Sequence, residues 1–309
     1  MQELQARGCG IRALVKYNSS NHWGWLEGIP GLSDLDVAVG DIRDPYFCDS
    51  LLKGVDVVFN LAALIAIPYS YVAPQSYLEV NVGGTLNLCQ AALKHGVQRF
   101  VQTSTSEVYG TAQSVPIAET HPLQPQSPYS ASKIGADSMA LAYHHSWNLP
   151  VVIARPFNTY GPRQSARAVI PSIISQILGG ANQVRLGDTR PTRDFNYVAD
   201  TCQGMVALAE ADAAIGQSVN IGSGTEISIE DTAQLIQKIM RRDVEFLREE
   251  QRIRPSGSEV FRLCCDNALL RLLTDAKPLV GLEEGLRRTI DWLQVPANLA
   301  HFKTRHHNL

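Results

Sequence analysis

Long hydrophobic runs are missing. The most apolar stretch, residues 55–67, is too short to cross a bilayer and carries Asp56 and Asn60. Residues 1–15 hold no apolar core of a secretory signal, so no membrane partner is expected. Cysteine is sparse and unpatterned. Cys9, Cys48, Cys89, Cys202, Cys264 and Cys265 form no C-x-x-C pair and no disulfide-like framework, which reads as reduced thiols in a cytoplasmic protein. Neither sign of charge dominates, and a net charge of -3 gives no reason to expect a nucleic-acid partner. The pairs His144-His145 and His306-His307 lack an accompanying Cys or carboxylate set, so no metal is expected. The last absence is local. Doubly wound nucleotide-binding domains open with a strand, a glycine-rich turn and a helix N-terminus that together hold a pyrophosphate. No G-x-x-G-x-x-G precedes the helix-like residues 1–7, so the chain enters such a fold part-way through its first βαβ unit. A start codon assigned too late, or a shortened polypeptide, is the expected cause, and dinucleotide binding is expected to suffer.

What is present reads as α/β. Hydrophobic residues make up 45% and charged residues 18%, enough for a sizeable core in 309 residues. The pattern predicts strands at 11–15, 36–39, 55–61, 99–104 and 150–154, with helices at 45–53, 74–95 and 128–147 between them. The 55–61 run is almost continuously apolar, as for a parallel strand covered on both faces. This alternation predicts a right-handed, doubly wound (Rossmann) parallel sheet. Beyond Arg155 the rhythm loosens: a Gly/Pro-punctuated loop, then helices at 169–178, 199–211, 228–241, 266–273 and 282–293, with short strands at 184–186 and 218–221. The expected division is a Rossmann domain over 1–160 plus about 195–222, lacking its first strand and glycine loop. A smaller C-terminal substrate-binding lobe would take 161–194 and 223–309.

The stretch Ser127-Pro128-Tyr129-Ser130-Ala131-Ser132-Lys133 carries the clearest chemical signal. Ser127 suits a helix N-cap and Pro128 the first helical position. Tyr129 and Lys133 then project from one face, one turn apart. A phenol near an ammonium and a positive helix end is expected to ionise below its ordinary pKa of about 10, which suits a base for an alcohol proton. Four stretches join it at expected strand ends around one crevice: Asn60-Leu61-Ala62-Ala63, Ser104-Thr105-Ser106-Glu107-Val108-Tyr109-Gly110, the run from Arg155 to Arg163, and the run from Arg193 to Asp200.

With these motifs the sequence resembles the extended short-chain dehydrogenase/reductases that act on nucleotide sugars. The narrower resemblance is to NAD-dependent UDP-N-acetylglucosamine 4,6-dehydratases of legionaminic-acid-type pathways. It rests on residues 16–26 (KYNSSNHWGWL), 161–171 (GPRQSARAVIP) and 254–260 (RPSGSEV). The resemblance implies roles. Thr105 would hydrogen-bond the sugar O4, Tyr129 would take its proton, and Lys133 would hold the nicotinamide ribose. Glu107 would remove the C5 proton once C4 is oxidised; the C6 hydroxyl would leave as water and hydride would return to C6. Asp41, Ile42, Asn60, Leu61, Ala62, Ala63, Asn81, Thr103 and Pro156 would line the dinucleotide site with Tyr129 and Lys133. Asn158, Arg163, Val169, Arg193 and Arg254 would hold the UDP-sugar, the arginines on its diphosphate. A homodimer is implied, paired through the Tyr129 helix and the one before it.

Two departures widen the reading. Ser106 stands where many sugar dehydratases carry Asp; its hydroxyl suits a proton relay through water and not an acid. The Thr-Ser-Glu order also resembles UDP-glucuronate decarboxylases, and a UDP-sugar 4-epimerase is a further alternative. Lys16, Asn18 and Ser19 follow the first strand where an acidic residue would read the ribose, which leaves NADP open beside NAD. A non-catalytic protein on the same fold is the rival of a different class, supported by the absent glycine loop.

Overall fold

The computed structural model describes residues 1–304, so His306-His307 lies outside the described residues. In the first half, helix α1 (Gln2–Ala6) leads to β1 (Arg12–Lys16), and two 3-10 turns (Gly24–Gly28, Leu32–Asp34) lead to β2 (Asp36–Gly40). Asp44 caps α2 (Pro45–Leu51), accepting from the Tyr46 and Phe47 amides. Strand β3 (Val57–Asn60) follows, then α3 (Ile67–Val72), α4 (Pro74–Tyr77), a π-helical segment (Leu78–Gly83) and α5 (Gly84–His95). Gly96 ends α5 in the left-handed conformation, as a helix stop requires. The half closes with β4 (Arg99–Thr103), α6 (Pro128–Trp147) and β5 (Val151–Pro156).

The second half runs β6 (Asn158–Tyr160), α7 (Val169–Leu178), β7 (Gln183–Leu186), β8 (Thr192–Arg193), β9 (Phe195–Tyr197), α8 (Val198–Glu210), β10 (Ser218–Ile221), β11 (Ile227–Ser228), α9 (Ile229–Met240), β12 (Glu245–Arg248), α10 (Ala268–Leu273), α11 (Leu282–Gln294) and α12 (Pro296–Leu299). The main sheet is parallel, in the order β10-β5-β4-β3, and β1 pairs with β2 in a separate parallel ribbon.

Side chains along the central strands alternate between two cores. Phe100, Val151 and Ile153 join Leu88, Ala92 and Ala140 on the α2/α5/α6 side. Val101, Val152, Ala154 and Val219 join Met205 and Leu208 of α8 on the other. The apolar run at 55–61 is a strand, yet not one covered on both faces. β3 is an edge of the four-stranded sheet, and Val57 is 42% exposed. A third core unites α7, α9 and α11 with β7 and β9, and it takes in Trp25 from the β1–β2 connection. Trp25 meets Trp292 and His301 edge-on, with ring centroids 5.2 and 4.5 Å apart.

Candidate active site

Ser127 caps α6 as its residue type predicts. Its hydroxyl accepts from the Ser130 amide at 3.1 Å, and the Ser130 side chain completes a capping box. This fixes Tyr129 in the first turn, 7% exposed, and Lys133 one turn on, 4% exposed. Opposite, β4 ends and Thr105 caps a 3-10 turn over Ser106–Tyr109, its hydroxyl accepting from the Glu107 amide at 3.2 Å. Gly110 closes that turn at φ +64, and a Cβ there would come 2.6 Å from the Gln124 carbonyl oxygen. Only glycine fits both demands. The Thr105 hydroxyl faces the Tyr129 phenol and favours its ionised form.

The electrostatics overturn one expectation. Burial pushes the Tyr129 phenol well above its ordinary range, Glu107 and Asp137 push the same way, and the Thr105 hydrogen bond offsets them only in part. The Lys133 ammonium is turned to the Thr103 carbonyl, 2.5 Å away. Burial therefore opposes ionisation of Tyr129, the reverse of the easily ionised phenol expected from spacing alone.

Glu107, 9% exposed, lies 3.6 Å from Arg254. Arg254 is also 3.8 Å from Glu259, which pairs with Arg193 at 3.1 Å. Burial lowers the Arg193 pKa; for Arg254, Glu107 and Glu259 outweigh burial and raise it. Two arginines and two glutamates thus form a charge-balanced cluster at one end of a cleft of about 1180 Å³. Thr105, Ser106, Glu107, Tyr129, Pro156, Asn158, Arg163, Val169, Arg193 and Arg254 all line that cleft.

Other expected site residues lie elsewhere. Asp41 is engaged by Arg43 at 2.7 Å, which holds its carboxyl below the usual range. Ile42 is a core residue packed so closely on Gly84 that a Cβ there would clash. Asn60 is buried and donates to Gln102 at 2.8 Å, while Leu61 is exposed and Ala62 and Ala63 are half-buried. Asn81, in the π-helical segment, donates to the Leu64 carbonyl and to Ser132 Oγ, gripping the post-β3 loop and α6 without touching Lys133. None of these seven is among the residues lining the cleft.

Sequence reasoning gave no role to Glu259, although it sits in the 254–260 motif, nor to Asp137, which follows Lys133 by one turn. It also missed Asp194, fully buried, which accepts from Ser223, Gly224 and Cys265. An acidic residue beside Arg193 was visible; its partners, far along the chain, were not. Among the described residues no cluster of ligand-type side chains could hold a metal, and no helix is long and apolar enough to cross a membrane.

Comparison with known proteins fits this geometry. The family model for GDP-mannose 4,6-dehydratase matches residues 1–289. A dTDP-glucose 4,6-dehydratase of Streptomyces antibioticus is 34% identical over 269 residues, 87% of this chain and 79% of the relative. The structure of DesIV, a dTDP-glucose 4,6-dehydratase of Streptomyces venezuelae with NAD and TYD bound, superposes with a TM-score of 0.85 at 28% identity, covering 98% of this chain and 94% of that one. TunA, an NAD-dependent NDP-hexosamine 5,6-dehydratase of tunicamycin biosynthesis, superposes with a TM-score of 0.84 at 30% identity, over 95% and 92% of the two chains.

Proposed function

The chain belongs to the GDP-mannose 4,6-dehydratase family of nucleotide-sugar-modifying short-chain dehydrogenase/reductases, and from that premise we propose that it is an NAD-dependent 4,6-dehydratase of a UDP-N-acetylglucosamine-like substrate. The observation that carries the reading is the convergence of Thr105, Glu107 and Tyr129 on one cleft wall, with Arg193 and Arg254 in the same cleft. The hexosamine is supported by the resemblance of residues 16–26, 161–171 and 254–260 and by the likeness to TunA.

The buried polar groups fit a dinucleotide at the Tyr129 end. Thr103 Oγ1 and Asn158 Oδ1, the latter an acceptor, are buried without a hydrogen-bond partner among the described residues, and the Lys133 ammonium is fixed on the Thr103 carbonyl. Bound NAD supplies the acceptor for hydride from C4 and its donor to C6. The chain's own residues do the rest. Thr105 and Tyr129 receive the C4 hydroxyl, and Tyr129, having first given up its own proton against burial with the charge of Lys133 favouring its anion, takes the proton of that hydroxyl. Glu107 takes the C5 proton, made acidic by the new carbonyl, while Ser106 relays a proton toward the departing C6 hydroxyl. Arg193 and Arg254 exchange their glutamate partners for the diphosphate, to which their forked donors are matched. The cofactor-facing surface extends to Asp41, Asn60 and Ala62 along the strand ends, residues 161–194 and 223–309 form the sugar-binding lobe, and two copies pair through α5 and α6.

Incubation with NAD and UDP-N-acetylglucosamine tests this: the expected product is lighter by one water, with no net reduced nicotinamide. An unchanged mass with an inverted centre makes the chain a 4-epimerase, and loss of CO2 from UDP-glucuronate a decarboxylase. Failure to bind NAD in an equilibrium titration sinks the enzyme reading. Light scattering reads the dimer.

A further inference from the structure

Asp137 lies one helical turn beyond Lys133 on α6 and is 2% exposed. None of the roles given above uses it. Its carboxylate joins three elements of the site. Ser104 Oγ, at the end of β4, donates to Oδ2 at 2.5 Å, and Arg155 Nε of β5 lies 3.6 Å from the same oxygen. Arg155 is 5% exposed and fixed from its other side: Nη1 donates to the Tyr109 hydroxyl at 3.1 Å, which donates to Asn220 Oδ1 at 2.7 Å. Asp137 Oδ1 and Arg155 Nε have no hydrogen-bond partner among the described residues, so this contact is electrostatic and not a tight fork.

Arg155 thus lies against this buried carboxylate, while Lys133, one turn back on α6, is held by the carbonyl of Thr103, the residue next to Ser104. A buried ammonium is costly unless a counter-charge stands near it. Burial lowers the Lys133 pKa and raises that of Asp137; Asp137 opposes the first shift, and Arg155, the Ser104 hydrogen bond and Lys133 oppose the second. Around this centre, α6 presents Tyr129 and Asp137, the segment after β4 presents Glu107 and Tyr109, β5 presents Arg155, and Tyr77 meets Tyr129 edge-on. Ser104 immediately precedes Thr105, so the same carboxylate ties the Thr105–Glu107 segment to the helix bearing Tyr129.

We propose that Asp137 is a positioning residue: it keeps Lys133 cationic, clamps Ser104 and hence Thr105 against α6, and so sets the pH range over which Tyr129 and Lys133 work as a pair. The inference rests on the roles proposed for those two residues, and its test separates them. Removing the negative charge takes attraction from Lys133 and repulsion from Tyr129. Both groups then lose their protons at lower pH.

The experiment is a titration of the protein labelled with 13C-lysine, followed by NMR, with the Lys133 signal identified by its loss in Lys133→Met. Asp137→Asn is expected to lower the Lys133 midpoint by about one unit, and Arg155→Met, which removes the competing cation, to raise it. Either variant alone suffices if the other fails to fold. In the NAD-loaded enzyme, the whole pH profile of Asp137→Asn turnover is expected to move to the acid side. A purely structural role would lower the profile without displacing it. Unmoved Lys133 midpoints overturn the inference. A shifted midpoint with an unmoved turnover profile overturns the claim that Asp137 sets the working pH range and removes Lys133 from the proposed chemistry.

Discussion

Replacing Glu107 by Gln removes one charge and keeps the side chain's shape, which makes it the sharpest probe of the elimination step. The structure separates two effects of different size. Glu107 lies 3.6 Å from Arg254, but Arg254 is also 3.8 Å from Glu259, so the arginine keeps an anionic neighbour. Because Arg254 keeps Glu259 as a counter-charge, loss of this long, largely buried pair falls short of the cost of stranding a buried charge, about 3 to 5 kcal/mol. Loss of a positioned base is worth about 100- to 10,000-fold in rate, or about 3 to 5 kcal/mol of barrier. The chemical effect wins, so dehydration should fall by at least about a hundredfold while substrate affinity changes little. Oxidation at C4 uses Thr105, Tyr129 and Lys133, which the substitution leaves in place. The assay follows product mass, absorbance of reduced nicotinamide and exchange of the sugar C5 proton in deuterated water, all on the NAD-supplied enzyme. Expected are a retained C5 proton and reduced nicotinamide building up to about one per site, with little loss of water. Dehydration within about threefold of the parent protein would refute the assignment of Glu107 as the base. Loss of oxidation together with dehydration would place Glu107 in assembly of the site instead.

Asp194→Asn should destabilise strongly. Two backbone amides, of Gly224 and Cys265, donate to Oδ2 at 2.9 and 3.0 Å, and an amide group at that position has no second acceptor to offer them. Leaving them unmet costs about 1 to 3 kcal/mol each, read as a lower urea midpoint at unchanged slope; a loss under about 1 kcal/mol would show that the loop reorganises. Acid should weaken the fold near Asp188. Its hydrogen bonds from Arg190 lower its pKa from the usual 3.8 to about 2, so the native state prefers the ionised form. That contribution is present above about pH 4 and lost as pH falls through about 2; with Arg190 68% exposed, it amounts to about 1 kcal/mol. Asp188→Asn should flatten this part of the acid limb in urea titrations at stepped pH, and an unchanged limb would deny the pair any weight.

The parallel alternation was readable because β5 is apolar on both faces, and because Ser127, Pro128 and Gly96 mark helix ends through local chemistry. The Thr105, Glu107 and Tyr129 cluster was readable for a related reason: strand ends in such a sheet open on one side. The paired ribbons β6–β9 and β8–β11 were not, since each strand is two or three residues long and exists only through its distant partner, and of β7–β12 only the strand at 184–186 was readable. The exposure of Val57 was hidden too, because apolar composition does not tell an edge strand from a central one. Tyr129 shows the limit most plainly. Spacing put Lys133 near it, but burial and the Thr103 carbonyl decide where the charge goes.

The lodging of Trp25 has a consequence for motion. Hinge closure is one way clefts open and shut, and any such movement here would involve a ring that comes from the β1–β2 connection. If α7, α9 and α11 swing away from the sheet, Trp25 must leave the space between Trp292 and His301 or draw the 17–35 connection along with it. That connection springs from the end of β1, where Lys16, Asn18 and Ser19 sit. One indole thus ties the connection after β1 to the core of α7, α9 and α11. Cleavage of the 17–35 segment by a protease then becomes a gauge of how often those helices swing away.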